Sequence, residues 1–184
     1  MPKFDLEQFI DDVKRARKDP ESQKAVQEIL ARVVSEPRAV LAELGEPEEA
    51  GIHTLYHAKD LTILNIVWAP WMVLKPHNHK MWANIGIYTG REDNILWERK
   101  GSQIEAFRAA SLSEEEVFPL SDEAIHSVTN PIGRLTAAIH IYGGDFFETP
   151  RSEWDPETLK EKPFDIEATR RLFKEANERY KAGM

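Results

Sequence analysis

From Gly51 onward the sequence changes from helical spacing to short β-rich runs, and this change constrains the fold more than any other feature. The runs are His53–His57, Thr62–Trp68, Met81–Tyr88, Asn94–Arg99, Gln103–Ala109, Glu116–Pro119, His126–Thr129 and Leu135–Tyr142. Turn signals separate them at Lys59-Asp60, Ala69-Pro70, Thr89-Gly90-Arg91, Lys100-Gly101 and Asn130-Pro131-Ile132-Gly133. About eight short strands at even spacing close as an antiparallel sandwich or barrel.

Helical segments flank this stretch. Leu6, Phe9, Ile10, Val13 and Ala16 recur at helical spacing, as do Val26, Ile29, Leu30 and Val33. Asp19-Pro20 reads as a cap and first-turn proline for the second helix. Pro37 opens a third short helix that Gly45 and Pro47 close. After Gly143-Gly144 the chain turns polar, until Asp165 caps a last helix with Leu172, Phe173, Ala176 and Tyr180 on one face. The expected layout is a single domain over 1–184: a helical segment 1–50, a β-barrel 51–145, and a polar loop with a C-terminal helix over 146–184.

Composition narrows the partners. The net charge is -8 with no basic cluster, which argues against nucleic acid and anionic membranes. Small anionic substrates stay open, because one local arginine suffices. With no cysteine, disulfides, thiolate nucleophiles and zinc-thiolate sites are excluded together. That fits a reducing, cytoplasmic setting. Met1 to Asp5 leads into charged residues rather than an apolar run, so no signal peptide is expected, and no apolar segment is long enough to span a bilayer.

Four of the six histidines fall into one pattern. His77 and His79 are two apart in Pro76-His77-Asn78-His79-Lys80, so on a strand they share a face. His126 and His140 stand beside later strand-like runs. In a closed barrel distant strands face one lumen, so His126 is a natural third ligand. Three neutral imidazoles suit a divalent first-row metal such as Fe, Zn, Ni or Cu.

These residues resemble the cupins and, within them, the cysteine dioxygenase-like and 3-mercaptopropionate dioxygenase-like thiol dioxygenases. The run Pro76 to Gly90 is similar to the first cupin motif. Its glutamate-ligand position falls at Ala83 or Asn84, a loss typical of the three-histidine thiol dioxygenases. His126-Ser127-Val128-Thr129-Asn130 resembles the His-x-Val-x-Asn segment, and Ala138-Ile139-His140-Ile141-Tyr142-Gly143 the Ser-x-His-x-Tyr-Gly segment. The resemblance covers roughly Trp68 to Arg151. It implies a mainly β fold, the double-stranded β-helix or jelly-roll barrel of cupins, with helices at both ends. It implies Fe(II) held by His77, His79 and His126, and oxidation of a small thiol to its sulfinic acid with O2. It also implies catalytic roles for Tyr142, whose hydroxyl reaches toward the metal-bound ligands, and for His140, which orients it. Cupins often dimerise, so a homodimer is a further expectation.

The chain departs from the pattern in two places. Ala138 replaces the family's serine, leaving the tyrosine–histidine pair without its last hydrogen-bond partner. The stretch Gly51 to His57 lacks the arginine or glutamine that many members place on an early strand to hold substrate carboxylate. His53 and Tyr56 are the candidates there, and Arg151 matches a substrate-binding arginine of some bacterial members. Trp68, Trp71 and Trp82 flank the first motif as packing or as walls of a pocket mouth. Glu92-Asp93 reads as a solvated turn and Glu114-Glu115-Glu116 as a solvated strand edge. No phosphate loop or nucleophile elbow is present. The alternatives to thiol oxidation are another metal-dependent enzyme on the same barrel, such as one using Zn or Ni, and a non-catalytic small-ligand binder.

Overall fold

A computed structural model describes residues 3–183. Three helices come first: α1 (Leu6–Ala16), α2 (Ser22–Val34) and α3 (Pro37–Leu44). Nine strands follow: β1 (Gly51–Ala58), β2 (Leu61–Trp68), β3 (Val73–Asn78), β4 (Ala83–Thr89), β5 (Arg91–Lys100), β6 (Gln103–Ser113), β7 (Val117–Leu120), β8 (Ile125–Thr129) and β9 (Thr136–Tyr142). Two short strands, β10 (Ser152–Trp154) and β11 (Glu161–Pro163), precede the last helix, α4 (Ile166–Lys181).

The strands form two sheets, ordered β1-β2-β9-β4-β7 and β11-β10-β3-β8-β5-β6. The antiparallel pairs nest: β2 with β9, β3 with β8, β4 with β7, β5 with β6. Strands β2 to β5 run out and β6 to β9 return beside them, while the ribbon alternates between the sheets. This is the jelly-roll, double-stranded β-helix expected from the sequence.

The helices explain why the first sheet reads as unbroken apolar runs. Every residue of β2 and β9 is buried, and so is all of β4 but Thr89. One face looks into the barrel, and the other lies under α2 and α3. Val26, Leu30 and Val34 of α2 are fully buried there. A Cβ on Gly86 of β4 would come within 2.8 Å of Leu30, so glycine permits that close approach. Gln23 of α2 donates to the Leu120 carbonyl at 2.9 Å, and Asn84 of β4 donates to the Gln23 carbonyl at 2.9 Å. These bonds satisfy polar groups that burial would otherwise leave unpaired.

The structure corrects the local reading in three places. Asp19-Pro20 does not cap α2: Asp19 accepts from the Glu21 N–H within a turn, and the helix begins at Ser22. Glu92-Asp93 is not a solvated turn: β5 begins at Arg91, and the Glu92 side chain is fully buried. The segment after Gly144 is not merely loop and helix, because β10 and β11 extend the second sheet. The caps at Gly45 and Asp165 stand as expected. Gly45 has φ +86° and its N–H donates to the Leu41 carbonyl; Asp165 accepts from the Ala168 N–H. Among the described residues no helix is long and apolar enough to cross a membrane.

Candidate metal centre

The first two imidazoles come from β3 and the residue beyond it. Pro76 cannot donate to the ladder, and the register between β3 and β8 shifts between Leu74 and His77. The Lys75 carbonyl left inside that irregularity accepts from His77 Nδ1 at 3.0 Å. His77 pairs directly with His126 of β8, which puts the two rings on one face. His79 lies one residue past the end of β3, and Lys80 follows in the left-handed region at φ +58°. The shared face of His77 and His79 is thus completed by this turn, not by regular strand alternation alone.

The three rings converge. His79 Nε2 is 3.2 Å from both His77 Nε2 and His126 Nε2. All three histidines are buried, and their ligand atoms lie within 4.8 Å of one another. Hydrogen bonding fixes which atoms face inward. His77 spends its Nδ1–H on the Lys75 carbonyl, and His126 Nδ1 faces the Asn94 Oδ1 at 2.7 Å. Each of these two neutral rings therefore turns a lone pair at Nε2 toward the others. Nitrogens bound about 2.1 Å from one ion sit about 3 Å apart, so the 3.2 Å spacings suit a shared cation. Burial lowers the His77 pKa to about 4. Burial first, then the charge of neighbouring imidazoles, holds His79 and His126 well below the usual histidine value. Neutral rings at neutral pH are the form that ligates metal.

Strand register assigns the missing fourth ligand. Ala83 lies opposite Tyr142, and Asn84 turns the other way to reach α2. The inward position is therefore Ala83, which offers no ligand atom.

Tyr142 and His140 come from β9, two residues apart on the inner face. The Tyr142 hydroxyl is 3.2 Å from His140 Nδ1, and its ring packs edge-on to His79 with centroids 5.0 Å apart. Burial raises the Tyr142 pKa, so the phenol keeps its proton at neutral pH. Ala138 supplies no partner to His140, whose Nε2 makes no hydrogen bond and faces Glu92 of the opposite sheet. His140 Nε2 lies 3.6 Å from Glu92 Oε2. The same oxygen accepts from Trp68 Nε1 at 2.9 Å, and Oε1 accepts from Asn94 Nδ2 at 2.9 Å.

Arg151 is buried, not solvated. Pairing of Glu153 with His77 brings β10 alongside β3, and Ser152 N–H donates to Asn78 Oδ1 at 2.9 Å. The guanidinium just before it lies between the Phe146 and Phe164 rings, 4.2 Å from each centroid. It donates to the Phe146 carbonyl, and its Nε has no partner. Burial lowers its pKa to about 10, so it stays charged at neutral pH. Among the described residues no carboxylate lies within ion-pair distance of it.

The centre opens onto a cavity of about 20 Å³, lined by the histidines, Tyr142, Trp68, Phe146 and Phe164. That is room for about one water-sized group. Ile52, Ile166 and Phe173 line both this cavity and a surface cleft of about 210 Å³, so they form the partition between them. Two of the three belong to α4.

Among the sequence-derived candidates, the structure brings His77, His79, His126, His140 and Tyr142 to one cavity, with Arg151 packed between its Phe146 and Phe164 walls rather than lining it. It does not bring His53 and Tyr56 there. Ile52 of β1 faces the cavity, whereas His53 lines an open pocket with Leu44 and Tyr88 on the other side, and Tyr56 lies under Lys14. Trp68 is a cavity wall, Trp71 is 64% exposed, and Trp82 packs on Gly143. Sequence reading missed Glu92 and Asn94. Their period-2 spacing was the available signal, hidden inside the charged run Arg91 to Asn94, where Arg91 and Asp93 pair with each other on the outside.

No family model matches the chain. Similar solved structures include an RmlC-like cupin family protein with a double-stranded β-helix fold from Methanocaldococcus jannaschii, 10% identical with TM-score 0.46, covering 55% of this chain and 85% of that one. A cupin superfamily protein from Desulfitobacterium hafniense is 16% identical with TM-score 0.45, covering 57% and 88%. A variant of Bacillus subtilis oxalate decarboxylase is 14% identical with TM-score 0.45, covering 56% of this chain and 28% of that one. At these levels the likeness carries no argument, and the fold rests on the chain's own strand pairing.

Proposed function

We propose that this protein is a mononuclear Fe(II) dioxygenase that oxidises a small, carboxylate-bearing thiol to its sulfinic acid. The observation that carries the reading is the convergence of three buried imidazole nitrogens beneath a buried phenol and near a buried arginine, with neither a fourth ligand nor a counter-ion for that arginine among the described residues. Iron held by His77, His79 and His126 would supply Lewis acidity and redox capacity at a face that three ligands leave open.

The chain's own residues divide the remaining work. Arg151 takes the substrate carboxylate, because a buried, unpaired guanidinium is stabilised most by a bidentate anion. Phe146 and Phe164 fix the plane of that guanidinium and exclude water from it. Tyr142 keeps its proton and is held by His140 at the edge of the site. Both oxygen atoms of O2 end on sulfur, so R–SH and O2 give R–SO2H with no external reductant. A cavity with room for about one water-sized group admits the thiol only when the partition of Ile166 and Phe173 gives way.

The test is anaerobic Fe(II) reconstitution followed by O2 uptake across small thiols, with mass detection of products. One O2 consumed per sulfinate formed, with preference for thiols bearing a carboxylate, is expected. Iron-loaded protein that consumes no O2 with any thiol, or zinc-loaded protein that alone turns over an ester or amide, would exclude the reading.

A further inference from the structure

Glu92 is a buried acid to which the reaction above gives no part. Its side chain has no exposure, and among the described residues its one ion-pair partner is His140. The donor and acceptor inventory around it runs in one direction. A His126 that gives its Nε2 lone pair to a metal must carry its proton on Nδ1, so the Asn94 oxygen accepts at 2.7 Å. The Asn94 amide nitrogen then points to Glu92 Oε1, which must accept. The indole of Trp68 is a donor only, so Oε2 must accept as well. His140 Nε2 faces that same oxygen at 3.6 Å, beyond hydrogen-bond distance, and is a buried nitrogen with no hydrogen-bond partner. An acceptor already committed on both oxygens favours an N–H at this position over a lone pair.

We propose that Glu92 is a positioning residue that sets the hydrogen-bond direction on both sides of the centre. Through Asn94 it holds His126 with Nε2 toward the ion. Through His140 it fixes the proton on Nε2, which leaves Nδ1 to accept from the Tyr142 hydroxyl. The cavity side of the phenol oxygen is then an acceptor, fit for a hydrogen-bond donor such as S–H, ammonium or water. Glu92 thus takes over from the opposite sheet the role that Ala138 cannot fill on β9. The inference rests on the reading of His126 as a metal ligand through Nε2, and on nothing about the substrate.

The test reads imidazole tautomers by nitrogen-15 NMR of the full chain labelled at histidine, metal-free and loaded with Zn(II) as a diamagnetic probe. His140 in the native sequence is expected to carry its proton on Nε2. In Glu92→Gln the amide can face His140 with N–H, and the His140 proton is expected to move to Nδ1. In Tyr142→Phe the proton is expected to stay on Nε2, because Glu92 and not the phenol sets it; this variant keeps the test decisive if Glu92→Gln does not fold. A His140 protonated on Nδ1 in the native sequence, the same tautomer with and without the Glu92 carboxylate, or a switch in Tyr142→Phe would each overturn the proposal. Zinc uptake in the same samples is scored separately. A chain that takes up no zinc refutes the metal reading, whereas the His140 tautomer is still read in the metal-free protein.

Discussion

The two walls of this β-helix share one scheme of nested pairing, yet they are covered differently and carry different chemistry. The β2-β9-β4 wall lies between the barrel interior and the N-terminal helices, and its residues are buried on both faces. Its inner contribution to the centre is the pair His140 and Tyr142. The second sheet is more open at its edge: β6 is exposed at most positions and β5 at its far end, while β3 and β8 are mostly buried. All three imidazoles, Asn94, Glu92 and Arg151 come from this side. Helix cover lets the first wall serve as apolar scaffold. Most of the second wall's buried polar groups find a partner inside; His79 Nδ1, Trp154 Nε1 and Arg151 Nε do not.

That division predicts opposite responses to mutation. Removing a ligand from the second wall, as in His126→Ala, should cost more metal affinity than the roughly 10–100-fold typical of losing an outer partner, while the chain stays folded. Equilibrium metal titration with circular dichroism checks both halves. On the first wall, Ile139 is fully buried on β9, opposite Gly86 of β4 and so under α2. Ile139→Ala should lose about 2–5 kcal/mol of stability with one metal per chain retained. Loss of metal in that variant under native conditions would break the comparison.

Smaller effects sharpen it. Arg151→Met replaces an unpaired buried charge with an apolar chain, so stability should hold or rise. KM for a carboxylate-bearing thiol should increase about 10–100-fold, matching the roughly 1.5–3 kcal/mol of a charged hydrogen bond. Thiols without a carboxylate should be affected little. The smallest effect is pH dependence in metal-free protein. Burial holds the folded His77 pKa near 4 and the other two ligands well below normal, against about 6.5 in the unfolded chain. The unfolded state therefore binds more protons as pH falls below about 6.5. Stability is full above that value and is lost as pH drops toward 4. Thermal midpoints between pH 7 and 5, above the carboxylate range, should decline without metal and flatten with it.

The same contrast explains what the sequence revealed. Strands of the doubly covered wall are continuous apolar runs, so Leu61–Trp68 and Thr136–Tyr142 were legible almost to the residue. The three ligands were legible because histidine is rare here and His-x-His is a local signal. In the second sheet, β3 carries Lys75 and Pro76, and β10 and β11 are three residues each, so pattern alone did not mark them. Glu92 and Asn94 were hidden because strand alternation placed them inside a run whose outward members are charged. Arg151 was marked as a residue but not as buried, since its cover comes from Phe146 and Phe164, distant in pattern though near in chain. His53 and Tyr56 lie on β1 with their side chains turned from the lumen, a parity that the irregular register between Thr54 and Tyr56 obscures.

Anomalous diffraction at the iron edge, from crystals of the Fe(II)-loaded protein, tests the central claim most directly. One peak per chain, bonded to Nε2 of His77, His79 and His126 at about 2.1 Å each, is the predicted result. A peak elsewhere, or three rings that keep their places with no metal among them at saturating iron, would contradict it.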